Sequence, residues 1–151
     1  MTTKRILIID DVQSIRADMR KSLCPPISAE EMMAQLIKRQ NMQVTNRYEI
    51  HEAGQGLEGV DMAKAALKNG RPYDVIIVDM KMPPGIDGTE TIRLIREFDS
   101  GAYVIVCTAF SEFLAEDLAE VNGGHPPAML YKPFESEKVL IDAVLKGERT
   151  V

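Results

Sequence analysis

The 151-residue chain lacks the features of a membrane protein and of a nucleic-acid-binding domain. No stretch approaches the roughly 20 consecutive apolar residues that a membrane-spanning helix needs, and the N-terminal residues lack the pattern of a signal peptide. The net charge of −5 argues against nucleic acid as a direct partner, because phosphate groups require a basic surface. We therefore expect a cytoplasmic protein that neither enters a membrane nor binds nucleic acid directly.

Cysteine is scarce as well: the two that occur, Cys24 and Cys107, do not have the spacing of a metal site. Cys107 lies inside an apolar run, which favours a buried free thiol. Free thiols are typical of the reducing cytoplasm. The sequence also contains no internal repeat and no low-complexity tract, so its length predicts a single domain over 1–151.

The most informative stretch is an unbroken run of β-branched apolar residues, 75–78, that ends at Asp79. A strand of this kind is buried on both faces, as in a parallel sheet between two layers of helices. Pro83 and Pro84 follow and can continue neither a strand nor a helix. The carboxylate of Asp79 is therefore predicted at the carboxyl end of a central strand, where open α/β sheets hold their ligands. It needs a partner there, because a buried unpaired charge is costly.

Strand patterns and helix patterns alternate five times along the chain. Such alternation predicts an α/β fold with a doubly wound parallel sheet of five strands, and right-handed crossovers place helices on both of its faces. The predicted strands are 5–9, 48–53, 75–78, 103–107 and 128–131. Helices are predicted for a first segment that ends at Leu23, for a second that ends at Asn69, and for about 88–98, 111–121 and 136–146.

Two of these helices carry patterns that predict which side chains enter the core. In the first helix the apolar positions recur every three or four residues, and the opposite face carries Arg16, Arg20 and Lys21. The helix over 111–121 has an acidic face, which we expect to be solvated. The predicted core residues are Val12, Ile15, Met19 and Leu23 in the first helix, and Phe113, Leu114, Leu118 and Val121 in the later one.

Four of the five strands end in polar residues that can take part in chemistry: Asp10 with Asp11, then Asp79, Thr108 and Lys132. Strand ends converge on one edge of a parallel sheet, so we expect these side chains to meet. Three carboxylates repel one another, and a divalent cation with oxygen ligands, Mg²⁺ or Mn²⁺, would relieve the repulsion. With an ammonium and a hydroxyl group nearby, the set would cradle a phosphoryl group, with Asp79 as nucleophile.

In this order, the motifs resemble the receiver domain of bacterial two-component response regulators. The resemblance is carried by Asp-Asp after the first strand, Asp-Met-Lys-Met-Pro and Asp-Gly after the third, Thr-Ala after the fourth and Lys-Pro-Phe after the fifth. It covers nearly the whole chain apart from residues 25–47. It implies a flavodoxin-like sheet with the strand order 2-1-3-4-5.

The resemblance also implies a function in phosphorelay signalling. Asp79 would accept a phosphoryl group from phosphohistidine on a sensor histidine kinase or a histidine phosphotransfer protein. The domain would then switch its contacts with an unidentified downstream protein. It would not be an enzyme in the usual sense, since it would catalyse only its own phosphoryl transfer and slow autodephosphorylation.

Further roles are implied for the residues around the acceptor. Asp11, Asp79 and the backbone carbonyl of Lys81 would bind Mg²⁺ directly, with Asp10 acting mainly through water. Lys132 would pair with the phosphoryl oxygens and precede a cis peptide bond to proline. Thr108 would swing toward the phosphoryl group and report its presence.

The chain departs from the common pattern of this family in three places. Met129 stands three residues before the loop lysine, at the switch position that usually holds Tyr or Phe. The loop 83–88 is one residue longer than usual, and residues 25–47 are an insertion between the first helix and the second strand. Within the insertion, a capping-box pattern predicts a short amphipathic helix over about 29–40. Its apolar stripe favours packing on the domain over a groove for a partner, and consists of Met32, Met33, Leu36 and Ile37.

Two other functions are compatible with parts of the sequence. An aspartyl-phosphate phosphohydrolase would use the same aspartate, metal and lysine chemistry, but such enzymes usually place a second aspartate at the position of Lys81. A scaffold that binds partners through 27–47 would act independently of phosphorylation. Any one of the site carboxylates could also be a simple helix cap.

Overall fold

The chain forms a five-stranded parallel sheet with the strand order β2-β1-β3-β4-β5. The structure is a computed structural model and describes residues 3–24, 29–30, 33–34, 47–109, 114–134 and 136–150. The strands are β1 (Thr3–Ile9), β2 (Arg47–Ala53), β3 (Val75–Val78), β4 (Tyr103–Thr108) and β5 (Ala128–Tyr131). The α-helices whose full extent lies within the described residues are α1 (Gln13–Leu23), α2 (Gly56–Lys68), α3 (Gly88–Arg96) and α4 (Glu137–Lys146).

Alternate side chains of the central strands pack into two separate hydrophobic layers, one on each face of the sheet. In β1, Leu7 and Ile9 pack with α2 and α3, whereas Ile6 and Ile8 pack with α1 and α4. All of these side chains are fully buried, which is why the central strands show unbroken apolar runs and no polar alternation. The predicted α/β class, the doubly wound sheet and its order are therefore confirmed.

Several smaller predictions are also confirmed. Cys107 is buried and free, and the peptide bond between Lys132 and Pro133 is cis. The helix predicted over 88–98 is present and ends at Arg96.

Among the described residues, no helix has both the length and the apolar character needed to cross a bilayer.

The helix predicted over 111–121 is wrong for the described part of that span. Only Ala115–Leu118 is helical there, as one turn of 3₁₀ helix. Leu114, placed in the core by the prediction, has extended backbone angles and is 52% exposed, whereas Leu118 is buried as predicted. The chain then turns through Gly123 and Gly124, both with positive φ, which ends helical geometry.

An asparagine fixes this turn in place of a longer helix. The side chain of Asn122 donates to the carbonyl of His125 and accepts from Nε of Arg96 on α3. The backbone amide of Asn122 meanwhile bonds to the carbonyls of Leu118 and Ala119. These contacts hold the segment through polar groups, which an apolar helical repeat does not reveal.

Val12 and Met33 are both more exposed than the sequence predicts. Val12 was expected on the core face of α1, but it is the residue before the helix, has extended backbone angles and is 42% exposed. The helix expected over 29–40 lies mostly outside the described residues, although 29–30 and 33–34 have helical backbone. Met33 of the apolar stripe is 59% exposed, so this residue does not pack on the domain as expected.

The segment after α4 is tied to the amino-terminal edge of the sheet by a buried ion pair. Arg149 donates from both terminal nitrogens to the carboxylate of Asp99, at 2.9 and 2.8 Å, and to the carbonyl of Tyr73 at 2.6 Å. Asp99 is 3% exposed. Burial raises the pKa of Asp99, but the bonds from Arg149 and from the amide of Gly101 outweigh it and lower the pKa overall.

Replacing Arg149 with methionine should therefore destabilise the domain by about 3 kcal/mol at pH 7, because Asp99 would stay buried without its cation. Urea-induced unfolding measures this change. Because the pKa of Asp99 is lowered in the folded state, its contribution is complete above about pH 4 and is lost as the pH falls further. As a control, Arg93→Met removes an exposed arginine that pairs with Glu90 and Glu97, and its unfolding midpoint should stay close to that of the parent.

Candidate functional site

The backbone ladder brings the polar strand ends together at one edge of the sheet. The register pairs Ile9 with Val78, so the next residues, Asp10 and Asp79, emerge side by side. The amide of Asp79 donates to the carbonyl of Ile9 at 2.9 Å, and the amide of Asp10 donates to that of Ala53 at 3.1 Å. Strand pairing thus continues one residue beyond the strands and fixes the base of the site.

Three carboxylates form the acidic part of the site. One oxygen from each of Asp10, Asp11 and Asp79 lies within 4.8 Å of the other two. Asp10 and Asp79 are buried, and Asp11 is half-buried. Carboxylate oxygens at this spacing suit a hard divalent cation such as Mg²⁺, which prefers oxygen ligands. The residues present therefore fit the predicted metal.

Lys132 brings the positive charge. Its Nζ lies 2.6 Å from Oδ2 of Asp10 and 3.7 Å from Oδ2 of Asp79. The amide of the same residue donates to the carbonyl of Thr108 at 2.7 Å, which ties the ends of β4 and β5 together. The ammonium group is thus shared unequally between two carboxylates, with the shorter contact to Asp10.

The electrostatics of the site raise the pKa of Asp79 to about 6, mainly because the carboxyl group is buried. Asp10 and Asp11 raise this pKa further, whereas Lys132 and the amide of Met80 oppose the rise. Burial lowers the pKa of Lys132, but the hydrogen bond to Asp10 and the negative charges of Asp10 and Asp79 together outweigh burial and raise the pKa overall. In the part of the chain that the structure describes, three carboxylates thus share the ammonium group of Lys132, so the site carries excess negative charge unless a further cation binds.

The loop after Asp79 is anchored at both ends. Oδ1 of Asp79 accepts from the amide of Met80 at 2.8 Å, and the side chains of Met80 and Met82 are buried. Gly88 begins α3 directly against this turn: a Cβ there would lie 2.5 Å from the carbonyl oxygen of Asp79. Asp87 caps α3 by accepting from the amide of Glu90. These contacts fix both ends of the loop 83–88 close to Asp79.

The remaining predicted residues lie around this centre. Thr108 is fully buried at the end of β4. Met129 lies in β5 opposite Val106, partly buried against the core layer that contains α2 and α3. Lys81 lies two residues after Asp79 and is exposed. The metal contact of its carbonyl and the switch roles of Thr108 and Met129 stay predictions.

One residue at the site was not identified as functional from the sequence. Arg16, assigned to the outer face of the first helix, instead reaches the site edge, where its Nη1 donates to the carbonyl of Asp10 at 2.6 Å. Its Nε pairs with Glu52 at 3.2 Å, at the end of β2. The sequence does place an arginine six residues after Asp10, within reach of the site. Helical spacing alone, however, does not predict which backbone group a long side chain contacts.

A protein-family model and similar proteins in the comparison point to the same family. The family model of the response regulator receiver domain matches residues 27–144. The chemotaxis protein CheY of Halobacterium salinarum is 29% identical over 142 residues, which are 93% of each chain. The chain spans only about half the length, 47%, of the mycobacterial response regulators MprA that it matches at 29% identity over 136 residues.

Solved structures of the same kind share the fold. A CheY-like receiver domain protein from Methanospirillum hungatei JF-1 superposes with a TM-score of 0.65 at 23% identity, over 96% of this chain and 93% of the other. The response regulator TrrA from Thermotoga maritima, solved in complex with Mg(2+)-BeF, gives a TM-score of 0.53 at 27% identity, over 90% and 92%.

The raised pKa of Asp79 predicts a pH dependence of stability in the absence of divalent cations. The folded domain holds a proton on Asp79 up to about pH 6, whereas the unfolded chain releases it near pH 3.8, as an ordinary aspartate does, so stability falls as the pH rises between these values. This difference in pKa corresponds to at most about 3 kcal/mol. Asp79→Asn should therefore be more stable than the parent at pH 8, and the two should converge at pH 4.

Urea unfolding in the presence of a chelator measures this difference. Asp61→Asn, which removes an exposed carboxylate on α2, is the matched control and should follow the parent at every pH. An Asp79→Asn chain with the parent's pH profile would show that the buried charge of Asp79 does not cost stability.

Proposed function

Because the chain belongs to the family of response regulator receiver domains, we propose that Asp79 accepts a phosphoryl group from phosphohistidine on a histidine kinase or histidine phosphotransfer protein. The phosphorylated domain would then change its contacts with a downstream protein. The observation that carries the proposal is the meeting of three carboxylates with Lys132 at the carboxyl edge of the sheet.

The transfer is a nucleophilic substitution at phosphorus. A carboxylate oxygen of Asp79 attacks, the bond between phosphorus and the imidazole nitrogen breaks, and the electron pair leaves with that nitrogen. The product is an aspartyl phosphate. One oxygen of Asp79 accepts from Met80 and the other faces Lys132, so the carboxylate is held in one orientation before the donor arrives.

The acidic cluster would hold Mg²⁺, with Mn²⁺ as a substitute. Asp11, Asp79 and the carbonyl of Lys81 would contact the ion, and Asp10 would act through water. When bound, the ion would offset the negative charge on the phosphoryl oxygens. The charge excess among the three carboxylates supports this assignment, as does the TrrA structure solved with Mg(2+)-BeF.

Lys132 and Thr108 would convert the new group into a conformational change. Lys132 contacts Asp10 most closely and would turn toward the phosphoryl oxygens. Because its amide donates to the carbonyl of Thr108, movement of the β5 end reaches the β4 end directly. Thr108 and then Met129 would repack, which shifts the population of the domain toward the form that binds its partner.

The phosphohydrolase alternative is less well supported by this site. Such enzymes usually place a second aspartate two residues after the nucleophile, and Lys81 occupies that position here. Receiver domains are signalling domains, so we expect one slow turnover of an added phosphodonor and no multiple turnover of a phosphomonoester. The scaffold alternative depends on 27–47, most of which lies outside the described residues.

Incubation with Mg²⁺ and acetyl phosphate should add one phosphoryl group to the chain, detected by intact-mass spectrometry. Asp79→Asn should lose the added mass completely, and a chelator should reduce labelling of the parent at least tenfold, because charge on the phosphoryl oxygens would be left uncompensated.

Asp87→Asn is the control for this experiment. It changes a carboxylate on the same loop, yet asparagine also caps helices well, so labelling should be unchanged. Persistent labelling of Asp79→Asn at the parent's level would refute the assigned acceptor.

A further inference from the structure

We propose that Arg16 is a positioning residue of the acidic site, which it orders through the peptide group between Asp10 and Asp11. This inference deepens the proposed function and rests on it, because it concerns the cation that the carboxylates would hold. Among the described residues, Arg16 bonds to Glu52 and to the Asp10 carbonyl, and not to the side-chain carboxylates of the acidic site. Its bond to the Asp10 carbonyl gives it an indirect route to two of them.

The carbonyl that Arg16 contacts belongs to the peptide bond between Asp10 and Asp11. A peptide group is planar, so the direction of that carbonyl sets the rotation of the backbone between the two aspartates. On one side the backbone is fixed by the bond from the Asp10 amide to Ala53, and on the other by the bond from the Val12 amide to Oδ1 of Asp10. Arg16 adds the restraint on the carbonyl itself, at 2.6 Å.

Arg16 is in turn held in place. Its side chain is 16% exposed, and its Nε donates to Oε1 of Glu52 at 3.2 Å. Glu52 lies in β2 next to Ala53, whose carbonyl accepts from Asp10. The end of β2 therefore fixes Asp10 twice, once through the backbone and once through the pair of Glu52 and Arg16. A guanidinium group is suited to this, because its fixed fork can donate in two directions at once.

Arg20 provides a comparison within the same helix. One turn after Arg16, it also pairs with Glu52, at 2.8 Å, and its Nη2 donates to the carbonyl of Ile50 at 2.9 Å. Both arginines thus link α1 to β2 through the same carboxylate and a backbone carbonyl. The carbonyl that Arg16 contacts belongs to Asp10, in the acidic site, whereas the carbonyl that Arg20 contacts belongs to Ile50. A comparison of the two arginines therefore distinguishes an effect on the site backbone from an effect on the packing of α1 against β2.

The sign of the change in cation affinity on loss of Arg16 distinguishes a positioning role from a purely electrostatic one. Removing a positive charge beside an acidic cluster should by itself tighten the binding of a divalent cation, and leaving Glu52 with one arginine fewer acts in the same direction. If Arg16 orders the Asp10–Asp11 backbone, its loss should weaken cation binding instead. Outer residues that orient metal ligands typically contribute tenfold to a hundredfold in affinity.

The test compares Arg16→Met with Arg20→Met, which remove the same charge and keep an apolar stem of similar length. The Kd for Mn²⁺ is measured by the EPR signal of the free ion, and that for Mg²⁺ by calorimetry. We expect Arg16→Met to bind about tenfold more weakly than the parent, and Arg20→Met to stay within about twofold. Arg16→Lys can still donate to one oxygen, so it should recover part of the loss.

A second readout needs no metal. In the cation-free chain, the backbone amide resonances of Asp11 and Val12 should shift in Arg16→Met, because the peptide plane before Asp11 rotates, and should stay in place in Arg20→Met. Urea unfolding of both variants checks that each is folded at the assay temperature.

Equal effects of the two methionine variants, or tighter cation binding by Arg16→Met, would overturn the proposal and leave Arg16 as a bracing residue. A parent chain that binds neither cation would instead remove the proposed function, whatever the variants do. If Arg16→Met were too unstable to measure, Arg16→Lys would be compared with Arg20→Lys, both of which keep the positive charge. Weaker cation binding by Arg16→Lys than by Arg20→Lys would support the proposal, and equal binding by the two would overturn it.

Discussion

The register of the parallel sheet is the constraint on which the rest of this structure depends. Once Ile9 lies opposite Val78, the residues that follow both strands must share one small space. In this chain those residues are Asp10 and Asp79, with Asp11 beside them. Hydrophobic burial of the strands therefore drives like charges together, and the free energy of the apolar core offsets their repulsion. The carboxylates repel one another in the folded domain, and they are held together because the burial of the strands is more favourable than their repulsion is unfavourable.

The pKa values of buried carboxylates are shifted in opposite directions at the two edges of the sheet. At the amino-terminal edge, Asp99 accepts two bonds from Arg149 and further bonds from backbone amides, and its pKa is lowered. At the other edge, Asp79 and its neighbours share one ammonium group, and the pKa of Asp79 is raised. Charge compensation is thus complete where a residue holds the fold together and incomplete where a ligand is expected.

Much of this could be predicted from the sequence, because the central strands and their polar ends depend on local, strongly patterned signals. Unbroken β-branched runs fix strand identity, and parallel topology then brings the strand ends together. The errors arose where a local pattern did not decide the outcome. The conformation of the segment around Leu118 is set by the hydrogen bonds of Asn122. Val12 is exposed because it precedes the first turn of α1. The reach of Arg16 depends on how α1 lies against β2, which periodicity does not encode.

The loop between Asp79 and α3 has a consequence for how such a domain can diversify. Its beginning is fixed by the buried side chains of Met80 and Met82, and its end by Gly88, where no side chain fits. Residues 83–86 between these anchors are largely exposed, and surface loops tolerate changes of length at little thermodynamic cost. An extra residue there would change the outline of this rim and leave the carboxylate of Asp79 undisturbed. The shape of the rim and the geometry of the carboxylate can in this way evolve separately, although they lie within a few residues of each other.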